Sequence, residues 1–431
     1  MHVLYFHQHF STPAGATDTR SYDMARRLIT RGHSVTMVCG SGQVASNGLT
    51  GKPVDGMRRG IVDGIEVIEL SLPFSNYDSF LKRTCISLRY AWWSVKLALR
   101  LKYDLLFATS TPLTSGVPGI VMKLFRKKPF VFEVRELWAE LPREMGGITN
   151  PLLVKAMEIL ERLSHYTADA CIGLSPGIVR GITQRKISAL QLSMIPNGCD
   201  LELFKPAEHK RAGYISGIGK DDFVAVFCGA HGMANGLDAV LDAAKILKER
   251  NEQNIKFLFI GDGKLKPQLM ERAEREQLDN CVFRKPLPKR ELAKVMICAD
   301  VGLMILANVS AFYNGKSTNE FFDYIASGLP VLNNYPGWLA EIITKNDCGK
   351  VVPPDDSVAF ADGLVALRDN PDLLNRAAGN ARKLAESDFN REKFADQFVG
   401  LLEAQVILQG PVRNRATPLT LSVAHDVETP V

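Results

Sequence analysis

Four segments of this sequence hold residue types that bind anions or move protons. The first is His7-Gln8-His9-Phe10-Ser11-Thr12-Pro13-Ala14-Gly15-Ala16-Thr17-Asp18-Thr19-Arg20, between a short apolar run and a helical pattern. Gly15 and its small neighbours let backbone N–H groups approach an anion near a helix N-terminus, although an ordinary loop with Thr17 or Thr19 as helix cap accounts for it equally well. The second, Cys228-Gly229-Ala230-His231-Gly232-Met233-Ala234-Asn235-Gly236, has three glycines where a tight turn needs one, which favours a diphosphate held by amides and a helix dipole. The third, Gly261-Asp262-Gly263-Lys264-Leu265-Lys266, offers Lys264 or Lys266 to a phosphate, or is a turn with a solvated helix start.

The fourth segment, Asn314 to Val331, is the richest. A polar loop through Ser317 and Thr318 runs into a helix whose first turns carry Asn319, Glu320 and Asp323. Glu320 and Asp323 are three apart and share a face. A carboxylate there can accept both hydroxyls of a ribose while the preceding amides face phosphate. Acidic residues also complement a helix dipole in first turns, which explains Glu320 but not the whole block. No segment is Gly-x-Gly-x-x-Gly, and no acidic residue follows the second strand to hold a dinucleotide ribose, so a dinucleotide dehydrogenase loses support. His2, His7 and His9 alternate along a strand face without a carboxylate among them, and no structural metal is expected.

These loops require a scaffold that brings them together. Short apolar runs alternate with helical patterns, the signature of parallel sheets with crossover helices. Strands are expected at 2–7, 34–39, 65–70, 104–109, 129–134, 169–174 and 192–195, then at 223–228, 255–260, 281–283, 300–305, 330–333 and 349–352. Gly40 to Gly64 reads as a mobile loop. The pattern divides the chain into an N-terminal Rossmann-like domain over 1–196, a linker over 197–222 and a second Rossmann-like domain over 223–388; the family resemblance given below implies that the first is the acceptor side and that the second binds the nucleotide-sugar. A helix at 389–409 is free to pack back on the first domain, and 410–431 reads as a disordered tail. Open parallel sheets bind ligands at the carboxyl ends of their strands, so two such α/β domains make a cleft lined by loops from both.

Composition narrows the class. The 431 residues are 46% apolar and 23% charged, the balance of a folded soluble protein. Lys and Arg total 52 against 47 Asp and Glu, a net charge of +5, too little to argue for a nucleic-acid partner. Eight cysteines are scattered without a Cys-x-x-Cys pair and read as reduced thiols. With Met1 leading into an apolar strand, no signal peptide is expected, nor any spanning helix; the expected location is cytoplasmic.

The block Asp323-Tyr324-Ile325-Ala326-Ser327-Gly328-Leu329-Pro330-Val331 resembles the Glu-Ala-x-Ala-x-Gly-x-Pro-Val signature of the family 4 retaining glycosyltransferases of GT-B fold. Gly15 and Arg20 sit where that family's first glycine-rich loop sits. Arg31-Gly32-His33-Ser34-Val35, Ser175-Pro176-Gly177, Pro196-Asn197-Gly198-Cys199-Asp200 and Gly261-Asp262-Gly263 with Lys266 follow its motifs in order. Within the family, Val134-Arg135-Glu136-Leu137-Trp138-Ala139-Glu140 and Ser317-Thr318-Asn319-Glu320-Phe321-Phe322-Asp323-Tyr324 resemble the WbuB-like L-fucosamine transferases. The chain departs from the family where Gly315 replaces the first of two glutamates, and where His231 and Asn235 stand near the usual phosphate-binding Arg and Lys.

The resemblance implies a metal-independent transferase without a cofactor, moving an N-acetylated hexosamine such as FucNAc from a UDP-sugar to a polyprenyl-diphosphate-linked saccharide of O-antigen or capsule. Arg135, Glu136, Asn319 and Glu320 become the candidate catalytic residues, with Arg135 and Glu136 orienting or activating the acceptor hydroxyl. Gly15, Arg20, His231, Gly232, Asn235, Ser317 and Thr318 become candidate donor contacts, Lys264, Lys266 and Arg284 the diphosphate cations, and Asp323 the ribose carboxylate. A nucleotide-sugar epimerase and a silent sugar-nucleotide scaffold are the alternatives. The stretch Tyr77 to Tyr103 gathers Lys82, Arg83, Arg89, Lys96, Arg100 and Lys102 around Leu81, Leu88, Trp92, Trp93, Leu97 and Leu101, and is expected to attach to the anionic inner face of the cell membrane.

Overall fold

A computed structural model describes the chain except residues 43–44, 76, 138–149, 185–191, 208–214, 316 and 410–431. The expected tail, part of the linker and the Trp138–Glu140 end of one motif therefore lie outside the described residues. The first domain runs β1 (His2–Phe6), α1 (Arg20–Thr30), β2 (Ser34–Gly42), β3 (Met57–Val62), β4 (Ile65–Phe74), α2 (Phe80–Arg100), β5 (Leu105–Thr109), α3 (Val117–Arg126), β6 (Phe130–Val134), α4 (Pro151–Thr167), β7 (Ala170–Gly173), α5 (Pro176–Thr183) and β8 (Leu192–Met194). Its eight strands are ordered β3-β4-β2-β1-β5-β6-β7-β8, all parallel except β3.

The second domain runs β9 (Phe223–Cys228), α6 (Asp238–Glu249), β10 (Ile255–Ile260), α7 (Lys266–Arg275), β11 (Cys281–Arg284), α8 (Lys289–Met296), β12 (Val301–Met304), α9 (Ser310–Gly315), α10 (Asn319–Ala326), β13 (Val331–Asn333), α11 (Trp338–Lys345), β14 (Gly349–Val351), α12 (Ser357–Asp369) and α13 (Pro371–Ser387), and α14 (Arg391–Gln409) follows it. Its six strands are ordered β11-β10-β9-β12-β13-β14 and are parallel throughout. The central strands are buried on both faces, which is why Phe223-Val224-Ala225-Val226-Phe227-Cys228 is a continuous apolar run.

Local chemistry sets the helix starts. Ser79, Asn150, Ser175, Asp356 and Asn370 each accept a first-turn amide with the side chain, and Pro151, Pro176 and Pro371 follow their caps directly. The loop expected over Gly40 to Gly64 is corrected by the structure: Met57–Val62 forms β3, antiparallel to β4. The turn between them is Asp63-Gly64, with φ of 49° and 83°, the left-handed pair that a tight hairpin needs. β3 is an edge strand with Ile61 exposed, so it lacks the apolar period of a buried strand.

One face of the first sheet lies under α2, α3 and α5, with Tyr90, Phe130, Phe132 and Ile178 buried between them. The other lies under α1 and α14. Phe398 of α14 meets Phe107 edge to face at 4.9 Å, Arg27 Nε donates to Asp396 at 2.8 Å, and His33 Nε2 lies 2.8 Å from Glu403. The last helix thus belongs to the core of the first domain.

Candidate active site

The carboxyl ends of the two sheets meet. Asn197, after β8, donates its backbone N–H to Ser317 Oγ at 3.3 Å and its side-chain amide to Ser317 O at 2.6 Å. Tyr77, after β4, donates its hydroxyl to Asp262, after β10, at 2.5 Å. The loops that carry the candidate chemistry therefore line the space between the domains.

On the first-domain side, Arg135 follows β6 and forms an ion pair with Asp18, which lies in the loop after β1. Its backbone N–H donates to Ser110 Oγ at 2.9 Å. The Arg135 guanidinium holds the Asp18 carboxyl well below the usual carboxylate range, against the opposing effect of burial. Burial first, and Arg135 second, push His9 down to about 4 and His7 in the same direction, so both rings are neutral. Glu136 is half-buried beside Arg135.

The two first-domain donor candidates are engaged within the protein. Arg20 is enclosed: it donates to Glu133 at 2.9 Å, to Pro196 O at 2.7 Å and to Ile195 O at 2.8 Å. Its five donors organise the fold below the cleft rather than reach a ligand. Gly15 donates its amide to Thr12 O at 2.9 Å, and a Cβ there would stand 2.6 Å from Ser46 N. The missing side chain admits the neighbouring loop.

In the second domain the glycines of the two rich loops zip those loops together. Gly261 has φ of 152°, and a Cβ on it would lie 1.8 Å from Gly229 O. His231 is corrected as a donor contact: it is completely buried, with its ring centroid 6.0 to 6.3 Å from those of Phe227, Phe259 and Phe283. Its amide donates to Asp262 O at 3.0 Å, and its carbonyl accepts from Leu265 at 3.0 Å. Burial, aided by Lys266, lowers its pKa to about 4.

Of the expected diphosphate cations, Lys266 and Arg284 are engaged within the protein and Lys264 is not buried. Lys266 donates to Gly261 O at 2.7 Å and Arg284 O at 2.5 Å, closing the ends of β10 and β11. Arg284 donates to Phe283 O at 3.2 Å and to Ser216 O in the linker. Lys264 is exposed, and Gly232 and Asn235 close a short turn through a 3.1 Å bond.

The fourth segment supplies the cleft face. Ser317, Thr318, Asn319 and Glu320 are half-buried at the start of α10, and Thr318 gives its N-cap no side-chain bond. Glu320 projects over the end of β9, where a Cβ on Gly229 would stand 2.8 Å from Glu320 Oε1. Tyr324 fastens the helix to that strand: its hydroxyl oxygen accepts from the Cys228 backbone N–H at 3.0 Å. Asp323, the expected ribose carboxylate, lies deeper along the helix, with Oδ1 unpartnered among the described residues. It is 2% exposed and paired with Lys289 of α8, which the sequence reading missed. An amphipathic eight-residue helix turns Asp323 inward, and nothing in Pro288-Lys289-Arg290 distinguishes Lys289 from a solvated first-turn residue.

Two family models match consecutive parts of the chain. Residues 15–198 match the Glycosyl transferase 4-like domain, and residues 222–370 match Glycosyl transferases group 1. The chain carries these two glycosyl transferase domains on a GT-B fold. The sucrose-phosphate synthase of Thermosynechococcus elongatus superposes with a TM-score of 0.73 at 19% identity, covering 94% of this chain and 99% of that chain. The Anabaena HepE structure in complex with UDP and glucose superposes with a TM-score of 0.65 at 16% identity, covering 93% and 99%. Among curated relatives, the O-antigen chain mannosyltransferase C of Escherichia coli is 24% identical over 58% of this chain and 64% of its own length. The GT-B chain spans about half to two thirds of the length of such curated relatives.

Proposed function

We propose that this GT-B chain is a retaining glycosyltransferase that moves an N-acetylated hexosamine, of the FucNAc type, from a UDP-sugar to a polyprenyl-diphosphate-linked saccharide in surface polysaccharide assembly. The observation that carries the reading is the opposition of two half-sites at the carboxyl ends of facing sheets: the first turn of α10 with Glu320 on one side, Arg135 with Asp18 and Glu136 on the other. The E. coli relative named for O-antigen chains and the UDP complex of the Anabaena neighbour support the substrate classes. The WbuB-like motifs favour the amino sugar.

In this reading the α10 amides and Glu320 hold the nucleotide, the amides stabilising the departing diphosphate. No metal or cofactor takes part. Arg135, its direction fixed by Asp18, and Glu136 orient the acceptor hydroxyl. Attack occurs on the face the diphosphate leaves, and a diphosphate oxygen takes the acceptor's proton, which retains the anomeric configuration.

The polyprenyl carrier places the enzyme at a membrane, and the outer face of α2 suits one. Leu81, Leu88, Trp92 and Leu99 point outward, with Leu81 75% and Trp92 55% exposed, where a solvated crossover helix would be polar. Trp93, Leu97 and Leu101 pack inward, so only part of the expected stretch is available. Exposed Leu124 and Phe125 of α3 and Leu152, Ile159 and Tyr166 of α4 extend the face. Lys96 lies 3.5 Å from the Trp92 ring centroid, a pairing suited to the headgroup level. No described helix is long and apolar enough to cross a membrane. The test of the function is turnover of a nucleotide-sugar panel with a lipid-linked acceptor, read as lipid-linked product.

A further inference from the structure

The two domains are joined at one end of the cleft. The chain crosses between them around 195–200 and again around 387–391, and the crossings pair: Cys199 N–H donates to Phe389 O at 2.7 Å, and Arg391 N–H donates to Cys199 O at 3.1 Å. Arg391 also holds Asp23 of α1 at 2.7 Å. Asn197 and Ser317 meet beside this crossing, and α5, after β7, packs on α9. All of this lies at the β8 end of the first sheet. Tyr77 follows β4, six strands away in the sheet order, a span of roughly 30 Å at about 4.8 Å per strand.

At that far end the Tyr77 hydroxyl donates to Asp262 Oδ1 at 2.5 Å and lies 3.4 Å from Gly263 O. Each side of the contact is stiff. Ser75 N–H donates to Asp78 at 3.1 Å, Tyr77 N–H donates to Ser75 Oγ at 3.2 Å, Asp78 pairs with Lys82 at 2.6 Å, and Ser79 caps α2. Across the cleft, Asp262 Oδ1 accepts from Gly263 N–H at 2.9 Å and the Asp262 carbonyl accepts from His231 N–H at 3.0 Å, while a Cβ on Gly263 would stand 2.5 Å from His231 O. With each loop held to its own domain, the bond breaks when the domains part. A paired crossing is where a hinge absorbs rotation, and the point farthest from it moves most. We propose that Tyr77 and Asp262 form the latch of the cleft, closing the end opposite the crossing and opening each time a ligand enters or leaves. The bond to Asp262 raises the Tyr77 pKa, so the hydroxyl stays a donor. Tyr77 is 52% exposed, so water competes for the bond and the latch yields readily. The kinetic part of the test rests on reading the cleft as a nucleotide-sugar site.

The test compares the full chain with Tyr77→Phe, Asp262→Asn and their double variant, by small-angle X-ray scattering without nucleotide and by stopped-flow binding of UDP. Tyr77→Phe removes one hydroxyl from a half-exposed side chain, so its urea midpoint should match wild type. Its radius of gyration should exceed that of wild type. Its UDP association and dissociation rate constants should both rise, about three- to tenfold, with Kd within about twofold, the signature of a gate loosened in the free and bound states alike. Asp262→Asn keeps an acceptor oxygen without its charge and should fall between wild type and Tyr77→Phe. The double variant should match Tyr77→Phe, since the same bond is lost in both. Faster dissociation alone, with a raised Kd, would make Tyr77 a nucleotide contact and overturn the proposal. Wild-type scattering with wild-type rates in Tyr77→Phe would overturn it equally. A wild-type chain that does not bind UDP rejects the donor-site reading, while the scattering comparison still decides the latch.

Discussion

Arg20 shows how a residue suited to phosphate becomes a structural one. Its guanidinium meets Glu133 and two carbonyls at the crossing between the first domain and the linker, and Thr109 completes the Glu133 carboxylate at 2.8 Å. Replacing Arg20 with Met would leave Glu133 buried and unpaired, which costs roughly 3–5 kcal/mol. Urea unfolding of Arg20→Met should show that loss; a midpoint like that of wild type would return Arg20 to the list of ligand contacts. The sequence singles out Arg20, His231, Lys266 and Asp323 without showing which way each points. Direction depends on partners far away in the chain: Glu133 for Arg20, three phenylalanines for His231, Lys289 for Asp323. Glu320, by contrast, was legible as a first-turn carboxylate, and the structure keeps it on the cleft side.

At the scale of elements, the parallel strands were legible because each is a short apolar run bounded by turn residues. β3 was not, since its outer face meets solvent and its alternation is broken by Arg58, Arg59 and Gly60. The Asp63-Gly64 pair was the signal that marks it. The outward leucines and Trp92 of α2 carry the prediction at this scale, because a helix face that is apolar on the side away from its own sheet needs another surface. Each basic residue near an anionic bilayer contributes about 1 kcal/mol. The protein should float with anionic vesicles and not with neutral ones, and charge reversal at Lys82, Arg83 and Arg89 should abolish flotation. Equal indifference to both vesicle types, or binding that survives the reversal, would make α2 a crossover helix alone.

Over the whole molecule, buried histidines tie stability to pH. His9 and His231 are lowered to about 4 and His7 is lowered too, in each case chiefly by burial. An unfolded chain takes up these protons near pH 6.5 while the folded chain refuses them down to about 4, so stability falls as pH drops through that window. Asp23, raised by burial to about 6, opposes the trend, since the folded state holds its proton between roughly pH 4 and 6. Asp323, also raised by burial, opposes it in the same way, so three histidines against two carboxyls set the sign. Urea midpoints should decline from pH 7 to 4.5, and His231→Leu should flatten the decline; a midpoint that rises on acidification would contradict the assignment of neutral buried rings.

The central claim is that the two facing half-sites transfer sugar. The most direct measurement incubates the purified protein with UDP- and GDP-linked hexoses and N-acetylhexosamines and a polyprenyl-diphosphate-linked saccharide, with and without excess EDTA, and determines the anomeric configuration of any product. The account predicts a lipid-linked product from a UDP-linked N-acetylated sugar, the donor's configuration retained, and turnover undiminished by EDTA. An inverted product, free epimerised nucleotide-sugar, nucleotide binding without transfer, or turnover that EDTA stops and Mg²⁺ restores would contradict it.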